Sequence, residues 1–330
     1  MDLIFDIASS TEFWRQRYPL DREPGPAQLL EPAECASNME DVLELAPPWV
    51  DAEFLSPNDG LLHVLVRESS DKRKTLKHAT HVWSGPIPEG AFYQLKPHVF
   101  IESPPFMFLH AAGILSLPRL IAFGDELCGL YSFDERQERG FRTRDVPLVT
   151  KTRLDCFVRS AKSLYGQRRA LQALSYIVDN SASPAETMDE MLLCLPCRHG
   201  GYGIPQPTMN EEIPLTPEAA RIAKRGKVRL DMGYADFSLS LEHLGDYDHS
   251  EKARRASDRA RTNALIEMGF TVLELTNDQV ADFMAFELIA KRVARIVKKP
   301  LKSRDLGPTP ARTTLRRELF GWNRSAGRIR

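Results

Sequence analysis

The 330-residue chain predicts an α/β protein, on three observations. Its last third reads strand, strand, helix, strand, helix. Residues 61–165 place short apolar strands before helices opened by proline. Composition is that of an ordinary globular chain, with 42% apolar and 27% charged residues, 19 Gly and 23 Pro, which excludes collagenous, coiled-coil and wholly disordered proteins. The length suffices for a substantial buried core.

Residues 1–60 carry 13 acidic and 3 basic residues around short apolar islands such as Val42-Leu43-Glu44-Leu45. They predict an acidic arm, irregular or partly helical, that offers a surface to a protein partner. In the following region, 61–165, His63-Val64-Leu65-Val66 and Phe100-Ile101 read as strands, bounded by turn signals at Asn58-Asp59-Gly60 and Gly85-Pro86. Pro104 and Pro105 open a helix through Phe106, Leu109 and His110, and a second runs from Leu117 to Leu130.

Helical periodicity covers 152–179 through Leu154, Phe157, Val158 and Ala161, then Leu171, Leu174 and Ile177. Ser183, Pro184 and Glu186 form a capping-box pattern that starts a helix at about 184, continuing through Met191 and Leu195. Val228–Asp231 and Ser238–Leu244 read as strands. A helix from Glu251 to Met268 stops at Gly269, which suits a left-handed cap. Thr271–Leu275 is a strand. Asp278–Lys298 is a long amphipathic helix with Val280, Phe283, Ile289, Val293 and Ile296 inside. Residues 299–330 read as a basic tail: from Lys298 onward there are 10 basic and 2 acidic residues, with Phe320 and Trp322 among them. Such a tail suits a nucleic-acid backbone, the acidic arm, or solvent.

Several classes of function drop out. Met1-Asp2-Leu3-Ile4-Phe5-Asp6 has no basic stretch ahead of an apolar one, so no secretory signal is expected. His110, Pro118 and Arg119 interrupt the most apolar stretch, 106–123, so no membrane span is expected. Five cysteines make no disulfide framework and suit a reducing, cytoplasmic setting. Cys194, Cys197 and His199 lack a fourth zinc ligand at a matching spacing. His199-Gly200-Gly201-Tyr202-Gly203 mimics an esterase oxyanion loop, but there is no GxSxG elbow. No GxxxxGK[ST] loop and no GxGxxG after a strand is present, which argues against nucleotide-dependent classes.

Strand parity points to chemistry. In Ser238-Leu239-Ser240-Leu241-Glu242 the leucines share one face, leaving Glu242 with the serines on the other. In Val228-Arg229-Leu230-Asp231 the acid again lies opposite the aliphatic side chains. A hairpin turning at Ala235-Asp236-Phe237 sets Asp231 and Glu242 equally far from the turn, hence side by side. Directly opposed carboxylates repel unless a cation lies between them, and a hard divalent ion is one such cation. His249 follows, and the next helix carries Lys252, Arg254, Arg255, Arg259 and Arg261. A solvent-facing placement of the two acids satisfies the same alternation, and Glu186 has a sufficient structural role as the capping-box partner of Ser183.

The run Arg229-Leu230-Asp231, then Leu241-Glu242 with ten residues between the two acids, Gly245, His249, Asp258-Arg259-Ala260-Arg261, Leu265, Gly269-Phe270-Thr271-Val272-Leu273 and Thr276 resembles very-short-patch-repair-like bacterial domains of the PD-(D/E)XK nuclease superfamily. Upstream, Ser183-Pro184-Ala185-Glu186 is similar to the first helix of that fold, and Gly200–Asn210 to the entry of its first strand. Residues 98–130 resemble segments that precede such domains in actinobacterial proteins, some grouped near abortive-infection antitoxins. The resemblance implies a restriction-endonuclease-like mixed sheet flanked by helices over 166–298, preceded by the smaller α/β region.

It also implies metal-dependent hydrolysis of DNA phosphodiesters. Asp231 and Glu242 would hold Mg²⁺ (Mn²⁺ could substitute), with Glu186 joining from the first helix. His249 would act as base or phosphate contact, and Lys252, Arg254, Arg259 and Arg261 would bind the DNA backbone. The family pattern usually has Lys two residues after its glutamate; this chain has Leu244, which by parity projects beside Glu242. The same fold without catalysis, as a DNA-binding or antitoxin-like regulatory module, is the alternative that Leu244 favours.

Overall fold

A computed structural model describes residues 1–17, 25–26, 34–46, 60–245 and 252–329. The chain divides into two compact units: an N-terminal one of residues 1–128, 132–177 and 322–330, and a C-terminal one of residues 129–131 and 178–321.

The elements of the first part of the chain are β1 (Leu3–Phe5), α1 (Ile7–Arg17), β2 (Gly25–Pro26), α2 (Met39–Leu45), β3 (Leu62–Val66), β4 (His78–Val82), β5 (Phe92–Lys96) and β6 (Val99–Glu102). These are followed by α3 (Pro104–Ala111), α4 (Leu117–Leu127), β7 (Tyr131–Phe133), β8 (Phe141–Thr143), α5 (Lys151–Ser160) and α6 (Gln167–Leu174). Six strands form one sheet in the order β2-β5-β6-β1-β3-β4. Ser103 caps α3, accepting from the Phe106 N–H, with prolines in the first helical positions as the sequence predicts.

The acidic arm expected over 1–60 is corrected at its start. Leu3-Ile4-Phe5 is fully buried and lies in the middle of the sheet, between β6 and β3. A three-residue strand carries no usable periodicity, and the acidic surroundings masked it. α1 is anchored by Arg15, whose guanidinium donates to Glu126 at 2.8 and 2.7 Å within the core. The domain boundary also moves, from 165 to 177. Ala170, Ala173 and Leu174 of α6, and Ile177 just after it, are buried in the N-terminal unit, so this segment closes that unit.

The C-terminal unit holds α7 (Pro184–Cys194), β9 (Thr208–Pro214), α8 (Pro217–Ala223), β10 (Lys227–Tyr234), β11 (Leu239–Leu244), α9 (Lys252–Glu267), β12 (Thr271–Thr276), α10 (Asn277–Ala281) and α11 (Phe283–Ile296). α12 (Pro310–Arg324) follows, its last residues belonging to the N-terminal unit. The sheet order is β12-β11-β10-β9, antiparallel except for the parallel β11–β12 pair, so it is mixed. Val228 and Leu230 bury one face of β10 against Leu265 of α9. Gly269, at φ +83°, stops α9 where the sequence predicts.

The single helix expected over 278–298 is two. Asp282 accepts from the N–H groups of Met284 and Ala285 and starts α11, while the apolar periodicity runs through the break unchanged. The basic tail is corrected as well. Residues 310–324 are helical, and buried Arg312 donates to the carbonyls of Gly200, Gly201, Asp305 and Gly307. Its guanidinium lies 3.9 Å from the Tyr202 ring centroid. Charge counting sees a cation but not the carbonyls that receive it. Among the described residues, no helix is long and apolar enough to cross a membrane.

Candidate carboxylate site

β10 and β11 pair with Met232 opposite Leu241, Gly233 opposite Ser240 and Tyr234 opposite Leu239, around a turn at Ala235–Phe237. The next step of that register sets Asp231 opposite Glu242. There Asp231 Oδ2 accepts the His243 N–H at 3.1 Å. The side-by-side placement read from strand parity is therefore what the hairpin builds.

The cation between the acids is Arg261. From α9, its Nη2 lies 2.5 Å from Glu242 Oε2 and its Nη1 3.6 Å from Asp231 Oδ1. Ser240 Oγ donates to Glu242 Oε1. Burial, then the Asp231 charge, push the Glu242 carboxyl up to about 8, against the opposing pull of Arg261. Burial raises Asp231 too, again opposed by Arg261. Burial thus works against ionisation of both acids, and Arg261 is the cation that opposes it.

Glu186 stands in the first turn of α7. Its carboxylate accepts from Ser183 Oγ at 3.0 Å, the Ala182 N–H at 2.9 Å and Asn210 Nδ2 at 2.6 Å, while Ser183 Oγ accepts the Glu186 N–H. The capping role is filled, with the reciprocal bond one residue earlier than in a standard box. Burial, then the charge of Asp231, raise Glu186 to about 7.

Two partners escaped sequence reasoning. Asp189 Oδ2 lies 2.6 Å from His243 Nδ1, and Asn277 Oδ1 lies 3.2 Å from His243 Nε2. Burial is the largest single influence and lowers His243, but Asp189, Asn277 and Glu186 together hold the ring above its ordinary pKa, and two acceptors suit an imidazolium. The available signals were an acid one turn after Glu186 in an apolar helix, and a histidine adjoining Glu242.

Arg259 is exposed on α9, and Lys252 and Arg254 lie in its first turn. His249 lies outside the described residues. Leu244 ends β11 and is 38% exposed. Arg261, expected on phosphate, faces the acids instead. Cys194 is buried, with Sγ 3.4 Å from the Pro205 carbonyl and 3.7 Å from Tyr234 Oη, and joins no cluster of metal-ligand type among the described residues.

This arrangement does not fit Mg²⁺. A guanidinium fills the space between Asp231 and Glu242, and Glu186 already accepts three hydrogen bonds. Among the described residues, the two groups of three or more His, Cys, Asp or Glu side chains whose ligand atoms all lie within 4.8 Å of one another are both in the N-terminal unit. Compared with protein-family models, with curated proteins and with solved structures, the chain has no match.

Proposed function

We propose that the C-terminal unit is a nuclease-like DNA-binding module of the regulatory, antitoxin-like kind, in which Arg261 holds the place that a divalent ion takes in hydrolytic members of the superfamily it resembles. The observation that carries this reading is the contact of one guanidinium with both Glu242 and Asp231. Binding is supported by exposed cations on the same unit. Arg221, Lys224, Arg225, Lys227 and Arg229 cluster from α8 into β10, and Arg225 Nη2, 2.6 Å from Ser257 Oγ, brings that turn beside α9 and its exposed Arg259. Lys227 and Arg229 are partly neutralised by Glu212, which leaves Arg221, Lys224 and Arg225 to meet phosphates.

Mg²⁺-dependent hydrolysis of DNA phosphodiesters is the second reading. It is favoured by the register that opposes Asp231 to Glu242, and it requires Arg261 to leave them. Duplex binding followed by fluorescence anisotropy, beside a cleavage assay in Mg²⁺ and in Mn²⁺, separates the two. The binding module gives affinity that falls steeply with salt, weakens in Lys224→Ala/Arg259→Ala, and shows no cleavage. Metal-dependent cleavage lost in Asp231→Ala overturns it in favour of hydrolysis. Absence of any salt-dependent affinity removes both.

A further inference from the structure

The N-terminal unit gathers five side chains of metal-ligand type at one end of its six-stranded sheet. Phe5 of β1 pairs with Ile101 of β6 and Val64 of β3, so Asp6, the next residue, falls between Glu102 and His63. On β4, Ala79 is opposite His63, and His81 stands diagonally beyond it on the same face. His110 returns on α3, its ring packed edge-on against Trp83 at 5.1 Å.

The distances divide into two groups that share Asp6. His63 Nδ1 and His81 Nε2 are 2.8 Å apart, and His81 Nε2 is 3.7 Å from Asp6 Oδ2. On the other side His110 Nδ1 is 3.6 Å from Asp6 Oδ1 and 2.9 Å from Glu102 Oε1. Ligand atoms about 2.0–2.1 Å from a tetrahedral ion stand about 3.3 Å from one another, within the range of these spacings.

Internal pairing leaves a remainder. A hydrogen bond joins His63 to His81, and an ion pair joins His110 to Glu102, yet Asp6 Oδ1 and Glu102 Oε2 are buried with no hydrogen-bond partner. Asp6 is 2% exposed and Glu102 fully buried, so water does not serve them at the surface. A cation would satisfy both oxygens.

We propose that Asp6 bridges two divalent first-row metal ions of the Zn²⁺ type, one held with His63 and His81, the other with Glu102 and His110. Three imidazoles with two carboxylates favour such ions over Mg²⁺ or Ca²⁺, which prefer all-oxygen sites. Each ion has three protein ligands, the number that leaves a coordination position for water or substrate. Solvent reaches the centre from the His81 side, where that side chain is 44% exposed.

The full chain, stripped with a chelator, loaded with Zn²⁺ and desalted, is expected to retain two Zn²⁺ per chain by elemental analysis. His81→Ala, at the exposed edge, retains one with an unchanged circular-dichroism spectrum. The Asp231→Asn/Glu242→Gln variant retains two, which keeps this centre distinct from the C-terminal acids. Fewer than two ions on the wild type, an unchanged count in His81→Ala, or a loss in the C-terminal variant overturns the proposal.

Discussion

Arg261 Nη2 lies 2.5 Å from Glu242 Oε2, and with that contact α9 closes over the hairpin end that carries Asp231. The guanidinium is the cation that offsets the negative charge of the acid pair. Arg261→Ala leaves that charge uncompensated. A buried partner removed in this way costs about 3–5 kcal/mol, and partial exposure of Arg261 brings the expectation to about 2 kcal/mol. Urea unfolding checks it: Arg261→Ala/Glu242→Gln should recover part of the loss, since Asp231 remains, whereas an additive double mutant would show that the contact carries no coupling.

Stability of the C-terminal unit should fall as pH rises from about 5 to about 8. Glu242 and Glu186 are held up to about 8 and about 7, above the ordinary 4.5 of a glutamate. The unfolded chain therefore ionises first as pH rises, and the folded state loses ground until its own carboxyls titrate. Their contribution is complete below about 4.5 and gone above about 8. Denaturation midpoints across this range should show a shallower fall in Glu242→Gln; an identical slope in the variant would contradict the assignment.

His243 should titrate above an ordinary histidine because Asp189 holds its proton. In Asp189→Asn the charge disappears and burial of the ring dominates, so its midpoint should drop by at least one pH unit, the scale of losing a close charge partner. Ring proton shifts in NMR across pH 5–9 report this directly, and coincident curves for the two proteins would refute it.

The C-terminal cations should differ sharply in their structural weight. Arg312 gives its donors to four backbone carbonyls and stacks on Tyr202, so Arg312→Ala is expected to destabilise by about 3 kcal/mol. Arg317 is exposed, and Arg317→Ala should stay within about 0.5 kcal/mol of the wild type. Equal effects from the two would mean that the helix does not dock as described.

Local signals in the sequence carry much of this architecture. Ser183 ahead of Pro184 starts α7, Gly269 stops α9, and the alternation of Leu239 and Leu241 with Glu242 gives β11 its faces. Together with the turn at Ala235–Phe237, that alternation was enough to oppose Asp231 to Glu242, because hairpin register is settled by a few neighbouring residues. Asp282 was not readable in this way. Its cap competes with an apolar stripe that continues past it, and only geometry shows which prevails.

The α/β class, the starts of α3, α4, α5, α7, α9 and α10, and the acid pair are encoded over spans of a few residues. Tertiary structure decided that Leu3-Ile4-Phe5 lies mid-sheet, that Arg261 turns inward, that Asp189 meets His243, and that Asp6, His63, His81, Glu102 and His110 share one end of a sheet. Those relations depend on strand order and helix docking between residues far apart in the chain. No spacing in the sequence records them, because the contacts form only when distant apolar segments bury one another.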